Sequence, residues 1–122
     1  MARVLVADDE ANIRDLARAV LERGGYAVIE SATGPATWEA LLREKVDMLL
    51  LDVMLPGLDG HSLLLKMSSH ESLKNVPVIV VTALEFTQDM FSKFSQVKGF
   101  LSKPFTPQDL EQAARQVAPV TL

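Results

Sequence analysis

The chain has 122 residues, 48% hydrophobic and 23% charged, a balance that suits one compact domain and excludes a disordered chain. A net charge of −4 with no gathered run of Lys and Arg argues against a nucleic-acid surface, and zero cysteines exclude disulfides, thiolate zinc sites and a cysteine nucleophile. The opening MARVLVADDE meets acids too early for a signal-peptide core, and no window nears the roughly 18 apolar residues of a membrane span. A soluble, cytoplasmic protein forming a single domain over residues 1–122 is expected.

The first apolar segment, RVLVA (Arg3 to Ala7), predicts a strand that ends in Asp8 and Asp9. Ile13, Leu16, Ala17, Val20 and Leu21 then recur at helical spacing, and Arg23, Gly24 and Gly25 supply a cation and a glycine stop. YAVIES (Tyr26 to Ser31) predicts a second strand, followed by a helix that begins near Pro35 and carries Trp38, Leu41 and Leu42. DMLLLD (Asp47 to Asp52) drives the most hydrophobic run into a lone carboxylate, Asp52, before a Pro-Gly loop. Asp59 then caps a third helix marked by Leu63, Leu64 and Met67. VPVIVVT (Val76 to Thr82) predicts the fourth strand, Met90, Phe91 and Phe94 a fourth helix, and GFLS (Gly99 to Ser102) a weaker fifth strand running into Lys103 and Pro104. Thr106, Pro107 and Asp109 give a cap, a first-turn proline and a capping-box acid for a last helix through Leu110, Ala113, Ala114 and Val117.

Strand then helix, five times over, predicts an α/β fold: a doubly wound five-stranded parallel sheet with right-handed crossovers and five helices on its two faces. Trp38, Met67 and Phe91 sit at core spacing, and the isolated His61 and His70 carry no ligand pattern, His70 reading as a solvated loop residue. Ligands of such sheets bind outside the carboxyl ends of the strands, where Asp8, Asp9, Asp52, Thr82 and Lys103 all fall. Three carboxylates within about 5 Å would repel by roughly 3 kcal/mol per pair at an effective dielectric near 20. A divalent cation relieves that repulsion best, and all-oxygen ligands favour Mg²⁺ or Mn²⁺ over zinc. A hydroxyl and an ammonium beside such carboxylates suit phosphate, and a carboxylate can itself be the nucleophile that forms an aspartyl phosphate, with Asp52 as the candidate.

Taken together, VLVADDE, LLLDVMLPGLDG, VIVVTA and FLSKPF, at these spacings, resemble the receiver domain of two-component response regulators from Arg3 to about Val117. The resemblance implies a flavodoxin-like strand order 2-1-3-4-5, with Asp8 and Asp9 placing Mg²⁺, Asp52 as phosphoacceptor and the backbone carbonyl of Met54 as a further metal contact. It also implies Thr82 as switch hydroxyl, Phe100 as switch aromatic, Lys103 as phosphate contact and a cis bond between Lys103 and Pro104. The implied function is a signalling switch that takes a phosphoryl group from a histidine kinase or phosphotransfer protein and catalyses its own phosphorylation and dephosphorylation. Implied partners are that donor and a downstream protein or output domain at helix four, strand five and helix five; Arg14, Asp15 and Arg18, on the outward face of the first helix near the acids, are expected to form either the donor's contact surface or a plain solvated face. The molecule is then a monomer or weak dimer, with no direct nucleic-acid or membrane contact.

The chain also departs from the family pattern. Thr82 and Lys103 are 21 positions apart, one fewer than the family spacing, and SQVKGF replaces the usual small residues, so irregularity is expected in helix four or its exit. His61 stands where an apolar residue is usual, and Gly99 stands where winged-helix regulators carry an acid, so their charged dimer face is not implied. The tail APVTL reads either as a natural end or as the start of a linker. Two alternatives remain: a Mg²⁺-dependent aspartyl-phosphate phosphatase, which needs a second aspartate where Met54 stands, and an inert pseudo-receiver, which would be expected to lack one of these groups.

Overall fold

The computed structural model describes residues 1–83 and 88–119; part of the tail segment APVTL thus lies outside the described residues. Strands and helices alternate as β1 (Arg3–Ala7), α1 (Ala11–Arg23), β2 (Ala27–Ser31), α2 (Gly34–Arg43), β3 (Met48–Asp52), α3 (Gly60–Ser68), β4 (Val78–Thr82), α4 (Gln88–Phe91), β5 (Val97–Ser102) and α5 (Pro107–Val117). All strand pairs are parallel and the sheet order is β2-β1-β3-β4-β5, the flavodoxin-like arrangement.

Side chains of a strand alternate between faces, so each central strand feeds two cores. Leu5, Ala7, Leu49, Leu51, Val78 and Val80 meet Leu41 of α2, Leu63, Leu64 and Met67 of α3, and Phe91 and Phe94. Val4, Val6, Met48, Leu50, Ile79 and Val81 meet Ala17, Val20 and Leu21 of α1 and Leu110 and Ala114 of α5. Each fully buried leucine among these contributes about 1.5–3 kcal/mol of transfer free energy. This explains why β3 and β4 read as unbroken apolar runs, whereas β2, at the sheet edge, is mostly half-buried.

Local signals set the helix starts. Thr33 Oγ1 accepts from Ala36 N at 3.0 Å, and Asp59 Oδ1 accepts from Ser62 N at 2.9 Å, as its cap position predicts. Thr106 and Asp109 close both bonds of the capping box. The loop after β3 is held by two glycines. Gly57 has φ 85°, a left-handed conformation that suits glycine, and Gly34 donates to Pro56 O at 2.9 Å. A Cβ on Gly34 would lie 2.1 Å from Leu58 O, so the approach of α2 to this loop requires glycine.

Several boundaries differ from the sequence expectations. β4 begins at Val78 and not Val76, because Val76 N turns back to Leu73 O and Pro77 has no N–H to offer a ladder. β5 begins two residues early, at Val97, and its register steps from Val78↔Val97 to Ile79↔Gly99. Lys98 is therefore an extra residue inside β5, whereas the departure in SQVKGF points to helix four or its exit. Phe94 lies beyond α4, in a turn where its N–H donates to Phe91 O at 3.1 Å, yet both rings are buried; Met90 of the same predicted stripe is half exposed. His70 is not simply solvated: its ring is 5.8 Å from Trp38, edge to face, and its Nδ1 accepts from Ser72 N at 3.3 Å. His61 packs edgewise on Phe94 and Phe91, at 5.4 and 6.0 Å, which accounts for a histidine at an otherwise apolar place.

Candidate functional site

Strand pairing brings the predicted rim together. Ala7 pairs with Leu51, so Asp8, just past β1, stands beside Asp52 at the end of β3. Asp52 pairs with Val81 and Thr82 pairs with Ser102, which carries Lys103 to the same edge; its N–H donates to Thr82 O at 2.9 Å. The Lys103–Pro104 peptide bond is cis. Alternation adds a second ordering. Asp8, Asp52 and Lys103 follow the parity of the face covered by α1 and α5, whereas Thr82 and Phe100 follow that of the face covered by α2 and α3.

Asp8 and Asp52 are only 2% and 5% exposed, while Asp9 is open to solvent. One oxygen from each of the three lies within 4.8 Å of the others. Lys103 Nζ sits between the buried pair, 2.9 Å from Asp8 Oδ2 and 3.0 Å from Asp52 Oδ2, and reaches Glu10 Oε2 at 3.1 Å. Two backbone bonds fix the carboxylates: Glu10 N donates to Asp8 Oδ1 and Met54 N to Asp52 Oδ1, both at 2.9 Å. Burial pushes the Asp8 carboxyl above its ordinary value; the Glu10 N–H and Lys103 offset this only in part, and the charge of Asp52 reinforces it. Burial opposes the charge of Lys103, but hydrogen bonds to Asp8, Asp52 and Glu10 outweigh it and raise its pKa above the usual lysine value.

The donor set fits a hard divalent cation: three convergent carboxylates, no sulfur and no imidazole. Thr82, 2% exposed at the end of β4, and half-buried Phe100, paired with Val80, complete the predicted set of side chains. The side chain of Met54 points to solvent at 71% exposure.

Residues 4–115 match the family model described as the response regulator receiver domain. The chain belongs to this family. It is 35% identical over 113 residues to the response regulator GtcR of Aneurinibacillus migulanus, covering 92% of this chain and 45% of that protein. To the response regulator PleD of Caulobacter vibrioides it is 38% identical over 105 residues, 84% of this chain and 23% of that protein. The chain thus spans less than half the length of either relative. Among solved structures it resembles the chemotaxis response regulator CheY4 of Vibrio cholerae, with TM-score 0.88 and 25% identity over 96% of this chain and 98% of that one. It also resembles the receiver domain of sensor histidine kinase PA1611 from Pseudomonas aeruginosa, a structure with a magnesium ion coordinated in its active-site cleft. There the TM-score is 0.85 and the identity 26%, over 95% of this chain and 96% of that one.

Two residues of this receiver domain were not singled out for the site from sequence. Glu10 joins Lys103 from the start of α1; its only sequence signal is adjacency to Asp8 and Asp9. Arg14 donates from Nη1 to Asp8 O at 2.7 Å, which braces the acidic loop from α1. Arg14 and Arg18 both bind Glu30 on β2, at 3.2 and 2.6 Å, so the two arginines considered for a kinase surface also tie α1 to the sheet edge. Among the described residues no helix is long and apolar enough to cross a membrane.

Proposed function

We propose that this domain, read as one receiver unit over residues 1–122, accepts a phosphoryl group on Asp52 from a phosphohistidine of a sensor kinase or phosphotransfer protein. The observation that supports it most is the Lys103 ammonium held within 3.0 Å of Asp52 Oδ2 and 2.9 Å of Asp8 Oδ2, at an edge where three carboxylates converge. The Met54 N–H holds Asp52 Oδ1 and so sets the rotation of the nucleophilic carboxylate. A carboxylate oxygen attacks phosphorus, the P–N bond breaks, and the imidazole leaves with the electron pair. Lys103 can donate to an equatorial oxygen and offset the charge gathering there.

Asp8, Asp9 and Asp52, with the Met54 carbonyl, would hold Mg²⁺, which when bound neutralises charge on the phosphoryl oxygens. A dedicated aspartyl-phosphate phosphatase is less well supported, because the thioether of Met54 offers no proton where that chemistry needs an acid. An inert pseudo-receiver is equally disfavoured, since each group of the rim is present.

Thr82 would then turn its hydroxyl toward the phosphoryl group, and Phe100, of the same strand parity, would rotate into the vacated space. The face of α4, β5 and α5 would carry the change to a downstream protein or output domain. Asp15, exposed on α1, would join the donor's contact surface, with Arg14 and Arg18 beside it. In this reading the domain would act in the cytoplasm, as a monomer or weak dimer. With acetyl phosphate and Mg²⁺, the protein is expected to gain an acid-stable, base-labile label. Undiminished labelling of Asp52→Asn would refute the assignment.

A further inference from the structure

An ammonium carries three N–H groups, and that of Lys103 meets three carboxylates. Two belong to the buried pair, Asp8 and Asp52. The third, Glu10 Oε2 at 3.1 Å, comes from a side chain that is 59% exposed. Glu10 occupies the N-cap position of α1, yet its side chain makes no capping bond. Its backbone N–H is committed to Asp8 Oδ1 at 2.9 Å, which fixes where the side chain starts, and its carboxylate spans the mouth of the site to Lys103.

We infer that Glu10 is a positioning residue that restrains Lys103 and so sets how tightly the site holds an anionic group on Asp52. The inference rests on the reading of Asp52 as phosphoacceptor. For Lys103 to donate to an oxygen of a group on Asp52, one of the three carboxylates must release an N–H. Glu10 is the most exposed of the three, and water can solvate it when it lets go. Until it does, it competes with the incoming anion for the same donor. Its own charge repels that anion as well. The two effects have the same sign, so neutralising Glu10 should tighten anion binding.

The test titrates wild type, Glu10→Gln and Glu10→Asp with beryllofluoride at saturating Mg²⁺, read by backbone NMR shifts, and repeats the series with Lys103→Met. The side-chain NMR signal of Lys103 is also followed in the ion-free proteins, where no ligand contributes. Glu10→Gln is expected to bind beryllofluoride about three- to tenfold more tightly, the range for one screened charge and one exposed ion pair. That gain should shrink once Lys103 is replaced, because the pair then no longer exists and only the direct repulsion between Glu10 and the anion remains. Glu10→Asp keeps the charge but is one methylene too short, so its Lys103 signal should move as in Glu10→Gln. Equal affinity in wild type and Glu10→Gln, a gain undiminished by Lys103→Met, or an unmoved Lys103 signal in the ion-free variants would overturn the inference alone. A wild type that takes up no beryllofluoride would overturn the phosphoacceptor reading and this inference with it.

Discussion

Lys103 is the counter-charge within the site, because its ammonium lies between two buried carboxylates that would otherwise face each other. Lys103→Met should therefore destabilise the protein without divalent ions by about 1–3 kcal/mol, the cost of leaving a buried polar group unpaired. Added Mg²⁺ should recover more stability in this variant than in wild type, as urea midpoints with and without the ion would reveal. Glu30 gives the complementary pH prediction. The hydrogen bond from Arg18, aided by Arg14, holds its carboxyl below the ordinary value of 4.5 against the opposing effect of burial. A depressed acid contributes stability that is present above the unfolded value and lost as pH falls through the folded one. Wild type should lose stability below about pH 4.5 partly through Glu30, and Glu30→Gln should be less stable at neutral pH with a flatter acid limb. Parallel acid limbs would show that the ion pair contributes nothing to folding.

Helix ends were legible because capping is nearest-neighbour chemistry. Thr106 Oγ1 accepts from Asp109 N at 3.0 Å and Asp109 Oδ2 from Thr106 N at 2.9 Å, the reciprocal pair that their spacing predicts. Thr106→Ala should cost about 1 kcal/mol, measurable as a shift in urea midpoint at unchanged slope. Gly34 was not legible in this way, since its need for a bare Cα comes from Leu58, a residue of another loop. Gly34→Ala should cost about 1–3 kcal/mol through overpacking. Because Leu58 belongs to the loop that follows Asp52, amide exchange in that loop should quicken in the same variant. The extra residue at Lys98 escaped the periodicity for a related reason, as a bulge is defined by the partner strand and not by its own sequence.

At the scale of the molecule, the site joins chain segments that only the sheet brings together. A cation bound by the folded rim alone should raise stability by about 2.7 kcal/mol at a concentration 100 times its Kd, and Asp9→Asn should reduce that gain. Thermal unfolding over a Mg²⁺ series checks both. The shared parity of Thr82 and Phe100 yields a further expectation. Beryllofluoride shifts that appear in α4 and α5 of wild type should be weakened in Thr82→Ala and in Phe100→Ala; full persistence in both would locate the switch elsewhere, near the bulge before Phe100.

The sequence by itself determined the alternation of strands and helices, the caps at Asp59 and Thr106, and the candidates Asp8, Asp9, Asp52, Thr82 and Lys103 at strand ends. Those features follow from periodicity and from neighbours a few residues apart, which any single stretch of chain displays. The strand order came from resemblance to a family and not from periodicity, because period-two alternation does not say which strand lies next to which. Tertiary structure alone decided that Lys103 would be shared by Asp8, Asp52 and Glu10, the last of them 93 residues away, and that Arg18 would settle on Glu30. Such pairings depend on distances set by helices packed on a twisted sheet, and a linear chain contains no local record of them.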